Sequence, residues 1–390
     1  MQTNRRHFLV STGMTALAAG RAMGANDTIR LGAIGCGGRM RSVLGGFEQA
    51  PGVELVAACD VYQPRMEEIR VRTNGVATIH STYREVLDRK DIDAVAIATP
   101  DHWHVKIASD AVAAGKDVYL EKPVTHKLEE GDVLIRAVRG TKQIVQCGMQ
   151  QRSWVHFQSA VDLIQGGSIG RVTQVRTYWF QNYQSSMLGE PTDLKLLDWK
   201  QWLGPAPEQP FTEEKVRRWR WFWDFGGGAM TDLFSHWIDV VHWAMKSDEP
   251  TQAVMTGDTY HFDQWQCPDT LEAAFRYPGF QVGYDGTMVS SIDDGGLEFR
   301  GTEATLKLTR GGFSVYREGR HVENPTLMER SIEDGTITHV RNFVSCVRSR
   351  KEPNAPVEAG VAAARAGHIG NLAFHRGEKV MWSAGRTAKS

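Results

Sequence analysis

Through its first third the chain alternates short, mostly apolar runs with amphipathic stretches; after that the period changes. Thr28–Ile34, Val53–Cys59, a short run near Thr78, Ala94–Ala98, Val118–Leu120 and Gln143–Cys147 are mostly apolar, without a regular polar face, as expected of strands covered on both faces of a parallel sheet. Helix-like stretches separate them: one ending near Gln49, others starting at Gln63 and Tyr83, then His104–Ala114 and Leu128–Arg139. This alternation predicts an α/β Rossmann domain, a doubly wound parallel sheet of six strands, over residues 27–148. Beyond Gly148 a helix (Phe157–Gln165) leads into longer strands in which inward and outward positions alternate. These are Val172–Phe180, Ala253–Thr259, Leu271–Tyr277, Gln281–Met288, Gly296–Gly301, Ala304–Thr309 and Phe313–Tyr316, separated by Gly and Asp-Gly turns. They predict an α+β domain with a large, mainly antiparallel open-faced sheet over residues 149–335. Residues 336–390 carry two helices, around Val340–Ser349 and Glu358–Phe374, expected to pack back on the first domain.

The first 26 residues are read as a targeting segment, outside the fold. Asn4-Arg5-Arg6-His7-Phe8-Leu9, a mildly apolar run to Gly20 and small residues at Ala22–Ala25 resemble a bacterial twin-arginine export signal. The apolar run is too short and too rich in small residues for a stable membrane span. The expected location is therefore exported and periplasmic, with a mature chain beginning near Asn26.

Composition narrows the function classes without naming one. The 390 residues carry a net charge of −1, so no strong field favours nucleic acid or an anionic membrane. Five widely spaced cysteines without a C-x-x-C pair are read as buried small hydrophobes, with neither a disulfide framework nor a metal site. Twelve tryptophans suit either a packed core or a surface that stacks on sugar faces.

The chemistry concentrates at the carboxyl ends of the apolar strands, where open α/β sheets bind ligands. Gly35-Cys36-Gly37-Gly38-Arg39-Met40 joins the first strand to a helix, and such a turn lets bare backbone approach a pyrophosphate. Met40 stands where a third glycine is usual. Asp60, at the end of the second strand, is placed to accept hydrogen bonds from an adenosine ribose, which favours NAD over NADP; NADP stays open through Arg39 and Arg65. Thr99-Pro100-Asp101-His102-Trp103-His104 forms the next corner, with Asp101 and His104 expected as polar contacts near the nicotinamide ribose. Asp117–Leu120 then delivers Glu121-Lys122-Pro123 to the same edge, and the proline holds Lys122 extended at the strand tip. In the second half three glycines precede Ala229-Met230-Thr231-Asp232-Leu233-Phe234-Ser235-His236. A helix starting at Met230 would place Asp232 and His236 at i and i+4 on one face, a carboxylate beside an imidazole able to work as acid or base.

The glycine-rich corner, the Thr-Pro-Asp-x-x-His corner, Glu121-Lys122-Pro123 and the Asp232-x-x-x-His236 pair, in this order, resemble the Gfo/Idh/MocA oxidoreductase family. The resemblance implies a Rossmann domain, an open-sheet second domain, oligomerisation through that sheet, and sugars or cyclitols as substrates. It also implies catalytic roles for Lys122, Asp232 and His236. A cofactor site of Gly35, Cys36, Gly37, Gly38, Arg39, Met40, Asp60, Thr99, Pro100, Asp101, His104, Glu121 and Lys122 follows. Substrate candidates around these stretches are Trp103, Gln151, Arg152, His156, Trp221, Trp223 and Asp239. The expectation is an exported nicotinamide-dependent oxidoreductase acting on a secondary hydroxyl of a sugar, glycoside or cyclitol, with a tightly held cofactor. A glycoside hydrolase or lyase working by transient ring oxidation, and a silent sugar-binding protein, are the competing readings.

Overall fold

Apolar runs with no polar face can only be buried on both sides, and such runs form the centre of the first sheet, with the short β3 at its more exposed edge. In the computed structural model, which describes residues 28–183, 193–319, 324–383 and 386–388, β1 (Ile29–Ile34), β2 (Val53–Cys59), β3 (Thr78–His80), β4 (Ala94–Ile97), β5 (Asp117–Leu120) and β6 (Val145–Cys147) pair in parallel in the order β3-β2-β1-β4-β5-β6. The order reverses between β1 and β4, the position beyond whose strand ends open α/β sheets bind ligands. The expected export segment lies outside the described residues.

The second sheet has ten strands in the order β14-β13-β12-β11-β7-β10-β9-β8-β15-β16. They are β7 (Val172–Phe180), β8 (Gln252–Asp258), β9 (Thr270–Tyr277), β10 (Phe280–Thr287), β11 (Gly295–Gly301), β12 (Ala304–Thr309), β13 (Gly312–Arg317), β14 (Leu327–Arg330), β15 (Val380–Ser383) and β16 (Arg386–Ala388). All pairings are antiparallel except β7 with β10. Along β9 the residues Leu271, Ala273, Phe275 and Tyr277 point into the core while Glu272 and Arg276 face outward. β14, β15 and β16 were not foreseen: the first is short and exposed, and the last two return from the chain's end to extend the sheet.

The C-terminal segment is less uniform than expected. The Gly335–Ser349 helix packs Val340, Phe343, Val344 and Val347 against Phe47 and Tyr119 of the first domain. The Val357–Arg376 helix lies between both domains, because its small residues admit neighbours on two sides. A Cβ at Gly360 would stand 2.6 Å from the Cys147 sulfur, and one at Gly367 would stand 2.6 Å from the Met230 carbonyl oxygen.

The five cysteines are free and buried. Among the described residues no helix is long and apolar enough to cross a membrane.

β1 runs into Gly35, where φ is +78° and a Cβ would lie 2.8 Å from the Thr99 amide nitrogen and 2.9 Å from the Ala98 carbonyl. The two ligand-edge corners thus touch through bare backbone. Gly35→Ala is expected to lower stability by about 1–3 kcal/mol, read as a drop in the denaturant midpoint at unchanged m-value.

Candidate functional site

The site begins with Lys122, which β5 carries to the sheet edge and whose bond to Pro123 is cis. Its ammonium donates to the Asp232 carboxylate at 2.5 Å and to the Asp232 carbonyl at 2.7 Å, joining the first domain to the second. The other carboxylate oxygen of Asp232 pairs with Arg220 Nε at 3.2 Å. Burial pushes the Asp232 carboxyl up, but the two cations outweigh it and leave the pKa at about 2.

Asp232 and His236 do not share one regular helix. The helix breaks at Leu233 into Gly228–Asp232 and Phe234–Met245, and the carboxylate turns to Lys122 and Arg220. Among the described residues no hydrogen bond joins Asp232 to the imidazole. His236 is instead stacked on Trp179, with centroids 5.7 Å apart and planes at 21°, and its Nδ1 is buried without a partner. Burial holds its pKa well below the ordinary value, helped by Lys122, Arg310 and Arg39. A neutral imidazole results. In the glycine run before this pair, a Cβ at Gly226 would meet the Arg220 backbone at 2.9 Å, and one at Gly228 would meet Cys267 at 2.7 Å. What comes close is the chain itself.

At the glycine-rich corner the Gly38–Glu48 helix starts from Gly37 with no side-chain cap and no acid in its first turn. Its N-terminal N–H groups are therefore left to an anion, as a pyrophosphate site requires. Met40 is fully buried in the core, occupying the third-glycine position. Asp60 accepts from the Cys36 amide at 2.7 Å and the Tyr62 amide at 2.9 Å, with Arg65 3.9 Å away. Arg65 also stands over Gly37, where a Cβ would lie 3.2 Å from its guanidinium. These donors fit a dinucleotide: open helix N–H groups, a bare turn, and an orphaned Arg39 Nη2 whose Nε pairs with Glu121 at 2.7 Å.

Glu121 is gathered further by Gln150, at 3.2 Å, and a Cβ at Gly148 would press on it at 2.7 Å. His104 does not point to a ligand. Its Nδ1 lies 2.6 Å from the Pro123 carbonyl and its Nε2 2.9 Å from the Thr99 carbonyl, so it ties the Thr99-Pro100 corner to the Lys122 corner. Thr99 Oγ1 is buried without a partner. Asp101, 2% exposed, has Oδ1 in the same state.

The substrate candidates divide. Trp221 is fully buried and stacked on Trp265 at 4.3 Å and 2°, which leaves no face for a sugar. Asp239 forms a buried pair with Arg152, 2.9 Å from Nε to each oxygen, so both are committed to packing charge. His156 contacts the Thr309 carbonyl at 3.0 Å, and Trp103 donates to the Trp202 carbonyl at 3.0 Å while covering Gly204. Trp223 packs edge-on against His375 at 4.4 Å. Gln151 is buried with its amide nitrogen unpartnered. Trp199 and Trp202 stack on each other at 5.0 Å as packing residues. Sequence reading missed Arg220, Arg310, Gln150 and Trp179; arginines and tryptophans in the Trp219–Trp223 run and in a Gly-rich turn carry no pattern that separates a site from a surface.

Asp101 has a measurable signature. Burial first, then the Asp232 charge, push its carboxyl well above the ordinary 3.8, against Arg220 and Lys122. A group raised in the folded state contributes stability below its unfolded pKa and loses it as pH rises towards the folded one. Asp101→Asn should therefore match or exceed the wild type in melting temperature, with an advantage that grows as pH climbs from about 4 to neutrality. Asp232 has the opposite sign: its contribution is present above about 4 and is lost as pH falls towards 2, in both proteins.

Two sequence models match the chain: an oxidoreductase-family NAD-binding Rossmann fold over residues 29–149, and that family's C-terminal alpha/beta domain over residues 182–381. A glycosyl hydrolase family 109 protein of Solibacter usitatus is 29% identical over 143 residues, covering 34% of this chain and 33% of the relative. Levoglucosan dehydrogenase of Pseudarthrobacter phenanthrenivorans is 25% identical over 211 residues, 54% of this chain and 47% of the relative. The aligned parts thus span a third to about half of these relatives. Among solved structures, levoglucosan dehydrogenase with NADH and levoglucosan superposes with a TM-score of 0.73 at 18% identity, covering 91% of this chain and 99% of that one. The WlbA dehydrogenase of Bordetella pertussis, with NADH and UDP-GlcNAcA, gives 0.72 at 21% identity, covering 92% and 99%. With both domains matched and the nucleotide corner intact, the chain belongs to the Gfo/Idh/MocA family of oxidoreductases.

Proposed function

We propose that the protein is an exported, NAD-dependent oxidoreductase that moves a hydride to or from a secondary hydroxyl of a sugar, glycoside or cyclitol, with C3 of a glucoside as one candidate position. The observation that carries this reading is the inter-domain group at the carboxyl edge of the first sheet: Lys122 held by Asp232, with the neutral His236, its Nδ1 unpartnered, beside it. The likeness to levoglucosan dehydrogenase supports the substrate class.

Oxidising a secondary alcohol removes a proton from oxygen and a hydride from carbon. When bound, the nicotinamide supplies the hydride acceptor. His236 takes the hydroxyl proton, because burial keeps its imidazole uncharged beforehand. Lys122 donates to the oxygen as negative charge develops there. Asp232 holds Lys122 in place through two contacts and shares its other oxygen with Arg220. Gly37 and the open helix N-terminus take the pyrophosphate, Asp60 lies at the ribose position, and Glu121 stands beside Lys122. A cofactor working outside the cytoplasm has to stay on the protein, so tight retention is part of the proposal. Oligomerisation through the open face of the second sheet also belongs to it.

The relatives in glycosyl hydrolase family 109 favour a second reading, in which aglycone is released with no net change in the cofactor.

Freshly purified protein is expected to carry nucleotide. Adding the right glycoside, sugar or inositol should raise the absorbance of reduced nicotinamide, and Lys122→Ala should slow that rise by roughly 100- to 10,000-fold. Aglycone release without the rise would select the hydrolase reading, and protein that neither holds nucleotide nor reacts would reject both. For export, the first 26 residues fused to a folded reporter should place it in the periplasm, and Arg5→Lys with Arg6→Lys should keep it in the cytoplasm.

A further inference from the structure

The charges around the reacting group are matched with one exception. Lys122 and Arg220 are answered by Asp232, and Arg39 by Glu121. Arg310 is the exception: among the described residues it makes no ion pair and no hydrogen bond, and only the Asp294 charge, too far for a salt bridge, favours its cation. It stands in the turn between β12 and β13, and its guanidinium lies over Trp179 at 5.0 Å and near Trp237 at 6.0 Å. His236 rests against the same Trp179 ring, so Arg310 is at most one indole away from the proposed base. Arg310 keeps an exposed side, yet it is crowded enough that desolvation and then the Arg39 charge oppose its cation, against Asp294, and Arg39's own Nη2 is buried without an acceptor. Two guanidinium groups from different domains therefore repel each other beside His236.

We propose that Arg310 binds the carboxylate of an acidic sugar, a uronate or a related sugar acid, and so presents the neighbouring hydroxyl to His236 and Lys122. The proposal rests on the dehydrogenase reading above and narrows its substrate class. A planar guanidinium pairs with a carboxylate through two parallel hydrogen bonds, which fixes orientation as well as position. Stacking on Trp179 holds the plane of Arg310 in advance. The cofactor's pyrophosphate has its own place at the Gly37 turn, on the first domain, whereas Arg310, Trp179 and His236 all belong to the second.

The test uses the cofactor-loaded enzyme and a matched pair of probes, methyl glucuronide and methyl glucoside. Calorimetry on the NADH-loaded form gives their binding, steady-state rates give KM and kcat, and NADH binding is measured without sugar. The wild type should favour the glucuronide. Arg310→Gln should raise its KM or Kd by about 10- to 100-fold, with kcat, glucoside binding, NADH affinity and melting temperature within about twofold, and Arg310→Lys should recover part of the loss. A wild type that favours the glucoside would overturn the proposal. So would an Arg310→Gln variant that loses NADH affinity to the same degree, since the occupant would then be the pyrophosphate. Glucuronide that binds through Arg310 but is not oxidised would uphold the anion site while the dehydrogenase reading failed.

Discussion

The contact between Lys122 and Asp232 is the constraint on which the arrangement of the two domains depends. Each charge comes from a different domain, and each is nearly removed from water, 11% and 7% exposed in its side chain. A buried charge deprived of its partner is strongly unfavourable, on the order of 3–5 kcal/mol. The second domain must therefore dock so that the end of the Gly228–Asp232 helix meets the tip of β5. Other features of the site follow from that docking. Arg220 approaches through Gly226, His104 secures the corner beneath Lys122, and Arg39 and Gln150 converge on Glu121. The imidazole of His236 is left among cations without a carboxylate of its own, which keeps it neutral.

Much of this was legible before any coordinates. The first sheet could be read because its strands are short apolar runs such as Ala94–Ile97, which have no polar face to expose. The second could be read strand by strand because one face is open, so Leu271 to Tyr277 alternates cleanly. Gly35, Thr99 and Lys122 could be placed at strand ends because glycine and proline there act locally. The break at Leu233 was not, since nothing local in Met230–His236 opposes a continuous helix. It arises where Asp232 is drawn to Lys122, more than a hundred residues away in sequence. Arg220 and Arg310 were invisible for a related reason: an arginine's partner, or lack of one, is a property of the folded chain. The Arg152–Asp239 pair shows the reverse error, in which polar residues near a motif belong to the packing.

The Val357–Arg376 helix has a kinetic consequence. Its small residues seat it on Val124 and Cys147 of one domain and on Met230 and Phe275 of the other, at distances where an added methyl group would collide. Such a splint leaves little room for a hinge, because rotating one domain would pull the helix out of a groove it fills on the other side. In the activity proposed above, ligand exchange would then rely on local movement around the site, which a small sugar needs less of than a dinucleotide. For the activity proposed above, such a frame suits one cofactor kept on the protein through many turnovers.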